Sequence, residues 1–362
     1  MEITYRLSLE WCSDLKNVLQ LNPKGMLYNL KSLDIRYSRE MEYVVNVEEQ
    51  VPETMFPNLV ELELYKVSEL KATWNGPLVE SECSAVPNVT MLQNLEEIQI
   101  EDCPKLEKVF EDGSASIFKL RSIQLHDLDS LTSIWKGAVP LIRLESLKIL
   151  DVKNYPSLRS RYLFLSVAFA QRFQQLEELE VIKCQSFIQL IAEEAEGMEI
   201  NSSSIFSNLK MLDIKVCQGL KCIFPIRIFQ GLMQLEEFKV SWCREMEELF
   251  EFEECQEKEE GSMTIRLPRL RILVLQYLPR LTSFFSHRRN LPCVLLDCPS
   301  LEEFDISECP NLKRLPFGPR STPKLEKFYI NDVEWFEKLE WDDPSVKLQL
   351  QQLLLPVRCS EF

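Results

Sequence analysis

Twelve cysteines and two histidines are the residues of this 362-residue chain whose types could do nucleophilic or metal chemistry. Cys103 sits in "LEEIQIEDCPKLEKVF", residues 95–110, with acids on one side and a proline on the other. Four roles are open to such a residue: reactive thiol, metal ligand, half of a disulfide, or small hydrophobe. A reactive thiolate needs a base and an electropositive setting. Here the preceding residues are Glu101 and Asp102, and His126 and His287 lie near no particular cysteine in the sequence. A structural zinc site needs closely paired cysteines. No C-x-x-C occurs, and the Cys217–Cys222 and Cys293–Cys298 spacings make no four-ligand pattern. Carboxylate pairs such as Glu96 and Glu97 recur as "LEE" and read as a solvated strand edge rather than an acid–base couple. No nucleophile, base and orienting group stand together. The expectation is therefore no catalytic residue, no metal and no cofactor.

The cysteines gain meaning from register. Written L-x-x-L-x-L-x-x-C-x-x-L, one phrase aligns Leu95, Ile98, Ile100 and Cys103 with Leu176, Leu179, Val181 and Cys184. The same alignment takes in Cys217, Cys243 and Cys309, and a clipped copy at the start places Cys12 there too. Other copies carry Ser38, Val67, Leu128, Tyr155, Leu278 or Val333 at that position, and "LPCVLLDCPSL" reads as a degenerate copy. About twelve units result, their starts mostly 24 to 36 residues apart. Alternating apolar residues mark a half-buried strand. One strand cannot bury its apolar face alone, so the copies must stack into a parallel sheet with the rest of each unit returning outside it. That predicts a curved α/β solenoid. The returning halves, of variable length, are expected to be loops and short helical turns, with "SRYLFLSVAFAQRFQQL" the best candidate for a longer helix. "REMEELFEFEECQEKEEG", residues 244–261, reads as a solvated loop.

A cysteine immediately after the strand turns inward and acts as a compact hydrophobe with a weak S–H donor for the bend. Binding capacity then belongs to the residues between the inward positions. Trp11, Tyr37, Trp242 and Tyr277 precede the cysteine position, with Tyr65 one residue earlier in its own unit. Glu97, Gln99, Glu101 and Asp102 are the variable neighbours of Cys103, and Glu178, Glu180, Glu303, Asp305 and Glu308 add further acids. These are the expected partner-binding residues of the concave face, suited to a partner with a basic surface.

The net charge of −16 speaks against nucleic-acid binding as the main activity. "MEITYRLSLEWCSDL" lacks a basic and then apolar leader, and "YLFLSVAFA" is too short to span a bilayer. A cytoplasmic or nuclear setting with reduced thiols follows as the expectation.

These repeats resemble the leucine-rich-repeat region of plant intracellular disease-resistance receptors of the coiled-coil, nucleotide-binding, leucine-rich-repeat class. The resemblance is carried by "FPNLVELELYKVSELKATWNG", "LQNLEEIQIEDCPKLEKVFED" and "CPSLEEFDISECPNLKRLPFGP". The ending "VEWFEKLEWDDPSVKLQLQQLLLP", with Trp335, Trp341, Asp342 and Asp343, is similar to that class's terminal segment. The resemblance implies a right-handed horseshoe with a parallel β-sheet on the concave face and mostly loops with short helices on the convex one. It implies repeats over 1–333 and a capping segment over 334–362. Its implied partners are a pathogen effector or modified host protein, and the nucleotide-binding domain of a parent receptor, held in an autoinhibited state. No G-x-x-x-x-G-K-[ST] phosphate loop occurs, and Leu125-His126-Asp127 mimics that domain's Met-His-Asp only superficially, because Leu125 is an inward repeat position. The alternative is a repeat adaptor of the F-box ubiquitin-ligase type, whose repeats also favour this cysteine. That reading needs an N-terminal helical bundle, for which repeats beginning near residue 4 leave no room.

Overall fold

A computed structural model describes residues 5–21, 26–46, 56–75, 94–109, 119–132, 134, 144–156, 161–164, 166–191, 205–251, 263–285 and 294–356. The chain gathers into two compact units, residues 1–160 and 161–362.

In the first unit each repeat phrase supplies one strand: β1 (Arg6–Glu10), β2 (Ser32–Arg36), β3 (Glu61–Tyr65), β4 (Glu97–Glu101), β5 (Ser122–His126) and β6 (Ile149–Lys153). Each pairs in parallel with the next, and none slips by a residue. Leu7 faces Leu33, Leu33 faces Leu62, Leu62 faces Ile98, Ile98 faces Ile123 and Ile123 faces Leu150. In the second unit the order is β7 (Glu178–Ile182), β8 (Met211–Lys215), β9 (Glu237–Ser241), β10 (Ile272–Gln276), β11 (Glu303–Ser307), β12 (Lys327–Ile330) and β13 (Leu354–Pro356). These too run parallel in register. Register is fixed because a one-residue slip would turn every inward leucine to solvent. Leu33, Ile35, Leu62, Leu64, Ile98 and Ile100 are all buried. At about 1.5–3 kcal/mol for each fully buried side chain of this size, every turn adds to the core of its unit.

The returning halves differ from expectation. Tyr43–Asn46 pairs with Ala72–Asn75 in the first unit, and in the second Phe224–Pro225, Glu248–Glu251 and Ser283–Phe285 form a second parallel sheet. Short strands thus stand where loops were expected. Their cause is a second apolar step a few residues after the corner: Leu249 and Phe250 point in while Glu248 and Glu251 sit at the margin. The acidic run therefore opens with a turn and holds the strand Glu248–Glu251, and its residues 252–261 lie outside the described residues. The expected long helix is also replaced. Tyr162–Phe164 is a strand paired with Gln189–Ile191, followed by the four-residue helix Val167–Ala170 capped by Ser166. Phe164, Phe169 and Phe173 turn inward and pack edge to face, which a longer surface helix would prevent. The degenerate copy adds no strand to the main sheet: Val294–Asp297 pairs with Met263–Arg266 in a separate two-stranded piece, and Leu296 bridges to Phe317 on its other side.

After β12, Asp332 caps the helix Val333–Lys338 and Asp343 caps the helix Pro344–Gln351, each aspartate accepting a backbone N–H at 2.8 Å. β13 then closes the free edge of β12.

Candidate functional site

The corner after each strand is built the same way. The residue before the cysteine position adopts a left-handed conformation, with φ between 52° and 61°, at Trp11, Tyr37, Lys66, Asp102, Asp127, Asn154, Lys183, Val216, Trp242, Tyr277 and Glu308. None is glycine, although this region costs an ordinary residue about 1–2 kcal/mol. The compensation is visible. Most of these N–H groups donate to the next strand, as Trp11 N does to Arg36 O at 3.1 Å and Tyr37 N to Tyr65 O at 2.9 Å. The thiol beside it donates back across the bend: Cys103 Sγ to Glu101 O at 3.5 Å, Cys184 Sγ to Ile182 O at 3.4 Å, and Cys309 Sγ to Ser307 O at 3.3 Å. Burial pushes the thiols of Cys103 and Cys309 up to about 12, the reverse of what a nucleophile or metal ligand needs. The eight described cysteines are all free, and no group of three or more His, Cys, Asp or Glu among the described residues could hold a metal.

This corner corrects the expected placement of five candidate residues. Trp11, Tyr37, Asp102, Trp242 and Tyr277 do not lie on the flat of the sheet; the left-handed turn carries them to its C-terminal edge. Their side chains line up there from turn to turn. Trp11 stacks on Tyr37 at 4.4 Å and 5°, and Tyr37 meets Tyr65 edge-on at 5.4 Å. Lys66 Nζ lies 5.2 Å from the Tyr65 ring centre and 6.0 Å from that of Tyr37, and 3.7 Å from Asp102 Oδ2. Tyr65 first, and then Asp102 and Tyr37, hold the Lys66 ammonium above the usual lysine value. In the second unit Trp242 stacks on Tyr277 at 3.6 Å and 12°. The aromatics therefore pack on neighbouring turns and still present surface: Trp11 is 62% exposed.

Glu97, Gln99 and Glu101 do lie on the open strand face, as alternate residues of β4. Glu97 faces Glu61 and Ser122, Gln99 faces Glu63 and Gln124, and Glu101 faces Tyr65 and His126. The structure thus groups Trp11, Tyr37, Tyr65 and Asp102 along one edge, with Glu97, Gln99 and Glu101 on the adjoining face. Trp242 and Tyr277 form their own pair in the other unit.

In each unit, mid-strand positions of the open face hold buried aspartates, of which the sequence reading named Asp305 alone and none as buried. Asp34, Asp151, Asp213 and Asp305 are the middle residues of β2, β6, β8 and β11, and all four are buried although they point away from the leucine core. Each meets a different partner set. Arg36 Nε donates to both oxygens of Asp34 at 2.8 and 3.0 Å and its Nη2 reaches Glu63 at 3.0 Å. Asp151 Oδ2 is contacted by His126 Nε2 at 2.9 Å and Lys153 Nζ at 2.6 Å. Asp213 Oδ2 accepts from Lys215 Nζ at 2.7 Å, while its Oδ1 is buried without a hydrogen-bond partner. Gln276 Nε2 donates to Asp305 Oδ2 at 2.9 Å. A planar guanidinium saturates a carboxylate where an ammonium reaches one oxygen. For Asp34, Asp151 and Asp213 the repeated "LD" followed two residues on by Arg or Lys was the available signal; Asp305, in "FDIS", does not carry it.

Among the described residues no helix is long and apolar enough to cross a membrane. Compared with known proteins, the chain is 31% identical over 153 residues to the disease resistance protein At4g27190 of Arabidopsis thaliana, covering 41% of this chain and 14% of that one. It is 38% identical over 125 residues to the probable disease resistance protein At4g27220 of the same plant, covering 33% and 12%. With the Arabidopsis disease resistance protein RPS5 it shares 27% over 146 residues, covering 40% and 15%. The chain thus matches under a fifth of each of these relatives. A solved TLR13–ssRNA13 complex superposes with a TM-score of 0.46 and 18% identity over 90% of this chain and 43% of that one. The pattern of leucine-rich repeats in RPS2-like plant disease resistance proteins matches residues 5–111, 81–185 and 192–334. With strands in the registers described above, the chain belongs to that family of leucine-rich repeats.

Proposed function

We propose that the array is the protein-recognition module of a plant innate immune receptor. In this reading it senses a pathogen effector or a modified host protein, and its contacts with the receptor's nucleotide-binding domain help hold the receptor inactive. The observation that carries the reading is that turns with one shared backbone vary in the side chain they present on the strand face opposite the core. The middle row of the first unit reads Ser8, Asp34, Glu63, Gln99, Gln124 and Asp151. A rigid scaffold with variable outward residues selects partners without changing its fold. The reading assigns no catalytic group, and buried, carbonyl-bonded thiols suit a reducing compartment such as the cytoplasm.

The test is a receptor bearing Glu97→Lys, Glu101→Lys and Asp102→Lys in this array. We expect weaker co-purification of the array with the nucleotide-binding domain or the effector, and for the former, signalling without a pathogen. Unchanged binding to both, in a folded variant, would remove the support for this face.

A further inference from the structure

Three of the inward cysteines form a row that the recognition reading leaves unused. Cys184, Cys217 and Cys243 follow β7, β8 and β9, which are successive strands paired in register. Other cysteines of this position have no such neighbours: Cys103 lies between Val67 and Leu128 in the repeat alignment, and Cys309 follows Leu278. All three residues of the row are fully buried. Cys217 stands in hydrogen-bonding reach of both Cys184 and Cys243. Its Sγ lies 3.5 Å from Lys215 O in its own turn and 3.5 Å from Val181 O in the turn of Cys184. The thiol therefore leans toward Cys184.

The backbone presses these two corners together. Lys183 N donates to Lys215 O at 2.8 Å and Gln185 Nε2 to Val216 O at 3.1 Å, while Gln185 Oε1 accepts from Gln218 N at 3.2 Å. A Cβ at Gly219 would collide with Gln185 O, so only glycine permits this approach. The Cys243 corner is laced on by Val216 N to Ser241 O at 2.9 Å and Arg244 N to Gln218 Oε1 at 3.3 Å. Neighbouring strands stand about 4.8 Å apart, inside the roughly 4.4–6.8 Å that a disulfide spans between Cα atoms. Hydrogen bonds with Cys184 and then Cys243 hold the Cys217 thiol well below its usual value, whereas Cys217 and burial push Cys243 well above it. Cys217 thus yields its proton before Cys243 does.

We propose that Cys217 and Cys184 form an oxidation site, at which hydrogen peroxide links two turns of the array by a disulfide. The Cys217 thiolate attacks one peroxide oxygen, the O–O bond breaks, and the departing hydroxide takes up the thiol proton as water. The sulfur is left as a sulfenic acid. Cys184 then attacks that sulfur, the S–O bond breaks, and the hydroxyl leaves with the Cys184 proton as a second water. Two thiols lose two electrons and two protons, and the peroxide is reduced to two waters. The buried sulfurs meet the oxidant only when the corner opens locally, so the link forms slowly.

The test exposes the folded full chain to hydrogen peroxide, blocks the remaining thiols with iodoacetamide in denaturant, and maps linked peptides by mass spectrometry. A Cys184–Cys217 link that dithiothreitol removes is expected. It should exceed any pairing of Cys103 or Cys309 by about tenfold or more, since neighbouring groups react at high effective concentration. Cys243→Ala is expected to keep the link. The proposal is overturned if Cys184 and Cys217 stay free after prolonged exposure that fully oxidises the partly exposed Cys12. A link from Cys217 to Cys243 alone, or sulfinic acid at Cys217 without any link, overturns it equally. The bond is independent of what the array recognises.

Discussion

Asp151 and Asp213 occupy the same place in their strands and are predicted to have opposite effects on stability. Burial raises the pKa of both. At Asp151 the bonds from His126 and Lys153 outweigh burial and the carboxyl titrates below its usual value. At Asp213 burial prevails over the single Lys215, and the carboxyl titrates above it. A depressed folded value gives stability that is present above the unfolded pKa of about 3.9 and lost as pH falls through the folded value. A raised folded value does the reverse: stability is lost as pH climbs from about 3.9 through the folded value. Asp151→Asn should therefore lower the urea midpoint at pH 7, by an amount that shrinks as pH falls through the folded value. Asp213→Asn should raise the midpoint at pH 7, with the difference gone at pH 3. A lower midpoint for Asp213→Asn at pH 7 would mean that Lys215 contributes more than burial costs. In the sequence only the phrases "LDVK" and "LDIK" mark these two aspartates, and an outward strand position does not itself show that neighbouring turns will bury it.

At the scale of the element, the corner matters more than the strand. Cys103→Ser places a hydroxyl where a thiol now sits fully buried, and should cost about 1–3 kcal/mol of unfolding free energy. Cys103→Ala loses volume and a weak donor and should cost less, as equilibrium unfolding of the two variants would show. Rapid labelling of Cys103 in the folded chain would contradict its place in the scaffold. The strands themselves were legible, because alternation of leucine-class residues leaves little choice of face. The inward cysteine was legible too, once five sister positions shared its register. The left-handed residue was not: Trp, Tyr, Lys, Asp, Val and Glu all occupy it, so no side-chain preference marks a conformation that inter-strand hydrogen bonds impose. The short return strands were missed for a different reason. Pieces such as Ser283–Phe285 are too brief to show a period, and they form only because a neighbouring turn offers a matching edge. Of the candidate residues, those of β4 follow from strand alternation alone, whereas the position of the edge aromatics depends on a backbone turn that no residue type announces.

For the molecule as a whole, charge sets the terms of encounter. With 57 acids against 41 lysines and arginines, the chain attracts basic surfaces over distances set by ionic strength. Association with a basic partner is expected to slow as salt is raised, with the off-rate much less affected, and stopped-flow measurement at two salt concentrations would check it. An off-rate that carries the whole salt effect would point instead to ion pairs buried within the contact. The many cross-turn pairs, such as Lys71 with Glu42 and Arg271 with Glu302, are exposed and contribute little singly. They do use up cations that would otherwise blunt the acidic surface.

The edge row also carries a rhythm. Neighbouring strands stand about 4.8 Å apart, while an extended peptide advances about 3.3 Å per residue. A segment laid along the edge falls back into step only after about three residues and two turns. Its side chains alternate sides, so the same orientation returns only at every sixth residue, about four turns on. Edge and ligand act like the two scales of a vernier. A partner following this edge is gripped at widely spaced anchors, and the residues between them are left free to vary.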